Sequence, residues 1–102
     1  MNENELLENK KEIFKDFMTM PAVGKSVAGD LWNLGFRKLD EIKTQDPNDL
    51  YERLCIFQGV RIDRCMLYTF KCINYYLNNE KPDPELLKWW NWSDENLKKL
   101  KK

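Results

Sequence analysis

The stretch MPAVGKSVAGDL, Met20 to Leu31, decides how the chain is read, because its Gly24-Lys25-Ser26 is also the ending of a nucleotide-binding phosphate loop. That loop has the form G-x-x-x-x-G-K-[ST] and follows a buried β-strand. Thr19 stands where its first glycine belongs. Upstream, Leu6, Leu7, Ile13, Phe14, Phe17 and Met18 fall on one helical stripe, so a helix enters the stretch and the nucleotide loop is set aside. Two readings of Pro21 to Ala28 stay open. One is a tight connector, with Gly24 supplying backbone freedom and Ala28 letting two helices approach. The other is a turn that aims its amides at a phosphate.

Working outward, Asn2 or Asn4 suits the cap of the first helix. A second helix is expected from Ser26 to Leu34, ending at Gly35, with Val27, Leu31 and Leu34 inward. A short helix from Lys38 to Lys43 follows. Asp46-Pro47 then gives an acidic cap and a first-turn proline to a helix that buries Leu50, Tyr51 and Leu54. Beyond Gly59, apolar residues recur at three- and four-residue steps from Ile62 to Leu77, predicting the longest helix of the chain. Asp83-Pro84 starts a short helix carrying Leu86, Leu87, Trp89 and Trp90, and Ser93-Asp94-Glu95 starts another toward the lysine-rich end. No segment alternates with period two. The expectation is an all-α fold, a compact bundle of short helices, with a core over residues 1–80 and a Trp-rich extension over 81–102 packed on it as one domain.

Composition narrows the chemistry. Lys plus Arg and Asp plus Glu both count 17 in 102 residues, so no net positive charge draws the chain to polyanions. The absence of histidine closes the Ser-His-Asp and Cys-His routes and every His-containing zinc site. No enzyme activity, cofactor or small-molecule substrate is expected. Cys55, Cys65 and Cys72 form an odd set. Cys65 and Cys72 lie two helical turns apart, roughly 10 Å, too far to share one tetrahedral ion, so all three are read as thiols and no metal site is expected. Without a signal-like start or an apolar span, a cytoplasmic location and no membrane contact are expected.

Met20-Pro21-Ala22-Val23-Gly24-Lys25-Ser26-Val27-Ala28-Gly29-Asp30-Leu31 resembles the helix-hairpin-helix motif, hydrophobic-Pro-Gly-hydrophobic-Gly-x-x-x-Ala-x-x-Leu, with Ala22 at the first glycine. LWNLGFRKLDEIKTQDPNDLYERL, RLCIFQGVRIDRCMLYTFKCINYY and DPELLKWWNW extend the likeness. Over residues 11–92 the chain resembles the small bacterial pathogenicity-locus family of helix-hairpin-helix proteins, and its hairpin segment is similar to the C-terminal domain of TfoX-type competence regulators. The resemblance implies contact with DNA backbone phosphates, without sequence readout, through Ala22, Val23, Gly24, Lys25 and Ser26. It also implies a second, degenerate hairpin at Phe57-Gln58-Gly59-Val60, with Gly59, Arg61 and Arg64 on the nucleic-acid side.

Plainer readings stand beside these. Residues 21–78 carry eight bases against seven acids, so only three-dimensional clustering makes a basic patch. Trp89, Trp90 and Trp92 do not share one helix face, and one or two of them are expected to close the core with the third at its rim. The rival to DNA binding is a protein-protein interaction or homo-oligomerisation module.

Overall fold

The computed structural model describes residues 3–96. The first helix, α1, runs Glu3–Met18, so Asn4 lies inside it rather than capping it, and Asn2 falls outside the described residues. Phe17 is fully buried and Ile13 packs against the core. Met18, expected inward, is instead 47% exposed, because it is rotated about 100° from the buried Phe17 onto the face of α1 that α2 does not cover.

The turn after α1 has Pro21 at its second position and Ala22 at its third, closed by Val23 N–H donating to Met20 O at 3.4 Å. Ala22 has φ 65°, the left-handed geometry that a type II turn demands at that position and that glycine normally supplies. Met20 and Val23 on either side are buried and anchor the corner. The second helix, α2, follows as Lys25–Asn33 and buries Ala28 and Leu31 against α1. Its end is built as the sequence foretells. Gly35, at φ 99°, lets Phe36 N–H reach Leu31 O (3.1 Å) and Gly35 N–H reach Trp32 O (3.0 Å), a Schellman motif sealed by the buried Phe36 and Leu31.

The short α3, Leu39–Lys43, starts where Glu41 Oε1 accepts from the amides of Arg37 (2.7 Å) and Lys38 (2.9 Å). Helix α4, Pro47–Gln58, is capped by Asp46, whose carboxylate accepts from Asn48 N–H at 2.8 Å. It ends at Gly59 in a second Schellman motif. Helix α5 is Cys65–Leu77, 13 residues against 16 in α1, so among the described residues the longest helix is the first. Its expected start at Ile62 is overturned for a local reason. Tyr51 Oη donates to Ile62 O and Ile62 N–H donates to Cys55 Sγ at 3.5 Å, holding the segment as a loop on α4 until Asp63 accepts from Cys65 N–H at 2.9 Å.

The described residues are all-α. Phe17, Leu31, Ile42, Leu50, Leu54, Phe70 and Ile73 are buried at the centre, each contributing about 1.5–3 kcal/mol by leaving water. Beyond α5 the expected short helix is two consecutive 3₁₀ turns, Pro84–Leu87 and Trp89–Trp92. Asp83 caps the first through Glu85 N–H at 3.0 Å. Trp92 packs on Tyr75 of α5 with ring centres 5.5 Å apart and donates to Leu86 O at 2.7 Å. Ser93 Oγ accepts from Asn96 N–H at 3.2 Å, opening the expected last helix, whose lysines at 98, 99, 101 and 102 lie outside the described residues.

Candidate nucleic-acid interface

A helix start leaves its first amides without intrahelical partners. At α2 the first intrahelical bond is Ala28 N–H to Gly24 O, 3.0 Å, so the amides of Lys25, Ser26 and Val27 precede it. No side chain caps this end, and no acidic residue stands in its first turn. Gly24 is extended (φ −97°), exposed, and faces open space: a Cβ there meets nothing within 4 Å. Positive helix-end potential and unpaired donors therefore meet solvent at Gly24, Lys25 and Ser26, all three exposed. Val23, expected among the donors, spends its amide closing the turn and its side chain in the core. Ala22 forms the left-handed corner.

Beside this corner lies a cleft of about 460 Å³ lined by Lys10, Lys11, Phe14, Lys15, Met18 and Lys25. At roughly 100° of rotation per residue, Lys10, Phe14, Met18, Lys11 and Lys15 form one continuous face of α1. Glu8, Glu12 and Asp16 form the next face, and Ile13 and Phe17 the buried one. Lys10 Nζ sits 5.5 Å from the Phe14 ring centre and 5.4 Å from that of Trp32, and the Arg37 guanidinium stacks on Trp32 at 3.5 Å. None of the four lysines pairs with a carboxylate among the described residues.

The segment expected as a second hairpin is different. Arg61 precedes α5 by four residues and pairs with Glu52 at 3.0 Å; Arg64 borders the helix and pairs with Asp94 at 2.9 Å. Both therefore precede the first turn of α5. The carboxylate of Asp63 occupies the helix start, and its bond from the Cys65 amide holds it below the ordinary carboxylate range. Gly59, at φ 72°, closes α4 rather than opening a hairpin.

Residues 10–98 match the family described as Cdd1, pathogenicity locus. The chain belongs to the Cdd1 pathogenicity-locus family. It is similar to the mitomycin resistance protein McrB of Streptomyces lavendulae, 29% identical over 85 residues that cover 83% of this chain and 77% of that protein. No solved structure matches it.

In this Cdd1-family chain the cysteines are structural by position. Cys55 and Cys72 are buried and Cys65 is half-buried. Burial pushes the Cys72 thiol up to about 11, and its Sγ donates to Leu86 O at 3.5 Å. Burial first, and Asp63 second, also raises Cys65. Among the described residues no helix is long and apolar enough to cross a membrane. The sequence reading missed Lys10, Lys11 and Lys15. Their signal is the interleaving of basic residues with Phe14 and Met18; Phe14 packs against the core as its spacing predicts, and only Met18 departs from the apolar stripe into solvent.

Proposed function

We propose that the α1–α2 corner is a helix-hairpin-helix of the kind that holds nucleic-acid backbone phosphates, and that the protein is a cytoplasmic, non-catalytic DNA-binding module without sequence preference. The observation that carries this is the meeting of an uncapped, acid-free helix start at Gly24 with four lysines in one adjoining cleft that pair with no carboxylate among the described residues. An overall neutral chain thereby gathers local positive charge where its amides are free. The left-handed Ala22 supports the hairpin likeness, since the one departure from the motif keeps the backbone shape that glycine gives. Arg61, Arg64 and Gly59 are assigned a secondary part, because both guanidiniums already hold carboxylates and Asp63 fills the helix start beside them.

Anisotropy titration of labelled DNA at low and moderate salt tests this. Lys25→Glu is expected to weaken binding and lower the salt slope by about one, whereas Arg61→Glu and Arg64→Glu leave binding nearly unchanged. Affinity that ignores salt, or that survives Lys25→Glu intact, rules the reading out.

A protein-interaction reading has its own observation. Ile56 (78% exposed), Phe57 (57%) and Val60 (60%) stand together in the solvent at the end of α4. Clustered exposed side chains of this size mark association surfaces more often than single ones do.

A further inference from the structure

The lysine cleft has a floor that phosphate contact alone does not explain. Phe14 and Met18 lie one helical turn apart on α1, roughly 6 Å, and Met18 is a large thioether left 47% exposed between ammonium groups. A phosphate needs the rim and makes no use of this floor. We propose that the cleft takes one unpaired nucleotide of a single strand, its base lying on Met18 and on Phe14, from whose ring the Lys10 ammonium moves off to a phosphate, and its flanking phosphates held by Lys10, Lys11, Lys15 and Lys25. The inference rests on the phosphate-binding reading of the hairpin and adds to it a preference for single strands.

Three features of the site select this occupant. A volume near 460 Å³ falls within the range of about 300–1,000 Å³ typical of small-ligand sites. An amphipathic acidic helix needs apolar anchors repeated over two or more turns, and this floor is one turn long. A duplex buries the faces of its bases in its own stack, whereas a single strand offers them to apolar platforms while its phosphates follow a basic track. The Glu8 and Glu12 face lies directly beyond Lys11 and Lys15, so the track is short and ends there. Methionine suits such a floor, since its flexible, polarisable side chain adapts to any base.

The test compares, on the full chain at low salt, labelled oligothymidylate, an abasic strand of equal length and a duplex of equal length. Oligothymidylate is expected to bind about tenfold more tightly than either of the others, a factor equivalent to stacking of one base. Met18→Ser, at a half-exposed position whose helicity is checked by circular dichroism, is expected to remove most of that advantage, weakening oligothymidylate binding by a larger factor than duplex binding. Lys25→Glu is expected to weaken all three probes. If Lys25→Glu weakens binding but the abasic strand binds as well as oligothymidylate, or Met18→Ser changes nothing, the hairpin reading survives and the nucleotide cleft does not. If Lys25→Glu changes nothing, both fall. An acidic amphipathic peptide that displaces oligothymidylate and itself depends on Met18 assigns the cleft to a protein instead.

Discussion

Replacing Ala22 tests the corner on which both the fold and the candidate interface depend. An L-residue in the left-handed region costs roughly 1–2 kcal/mol, and Ala22 sits there at φ 65°. Glycine removes that strain but adds about 0.4–1 kcal/mol of unfolded-chain entropy. It also forfeits part of the ~0.8 kcal/mol that a buried methyl group contributes, Ala22 being half-buried. The net expectation for Ala22→Gly is a gain of about 0.5 kcal/mol, which for a domain of this size is a rise in Tm of about 2–4 °C. Ala22→Val adds a branched Cβ at positive φ, where such residues are outliers, and is expected to lose more than about 1 kcal/mol. The decisive quantity is the glycine-to-valine gap, about 1.5 kcal/mol or more, read from urea midpoints at constant slope. Equal stability of the two variants, or valine above glycine, means that residue 22 is not left-handed and that the type II corner is wrong.

Two further expectations follow from the surface and the caps. Glu41 lies below its ordinary value of 4.5, first through the Arg37 amide bond and then through that of Lys38. The stability it lends is therefore complete above pH 4.5 and is lost as the pH falls through its lowered folded value. Partial burial raises Asp30, which acts in the opposite sense, so the measurement is the difference between wild type and Glu41→Gln. That difference is expected to shrink on acidification, and a difference independent of pH would falsify the cap. Phe57→Asp is expected to raise solubility, change stability little because the ring is 57% exposed, and abolish any concentration-dependent sedimentation of the wild type. Unchanged self-association in the variant excludes the α4 end as the contact.

Much of the backbone was legible because its signals are local. Gly35, Asp46-Pro47 and Asp83-Pro84 act within a few residues of themselves through left-handed geometry or a carboxylate on nearby amides, and each does so in the structure. The start of α5 was not legible. Its apolar spacing runs unbroken from Ile62, and what holds that residue out of the helix is Tyr51 and Cys55, seven and more positions away on α4. Asp63 carried a readable cap signal, but the periodic pattern masked it.

The sequence by itself determined the all-α class, most of the helix ends, and the turn at Pro21 and Ala22, since propensity, capping and periodicity depend on near neighbours. Only the tertiary structure decided which faces were left over. Met18 had the character of a core residue until the packing of α1 on α2 placed it in solvent. Lys10, Lys11 and Lys15 became one surface with Lys25 because helix rotation and the hairpin corner bring together charges ten or more residues apart. Arg61 and Arg64, by contrast, were matched by Glu52 and Asp94. Charge counts add along a chain, but a binding surface depends on which charges the fold leaves unpaired, and that is fixed by packing.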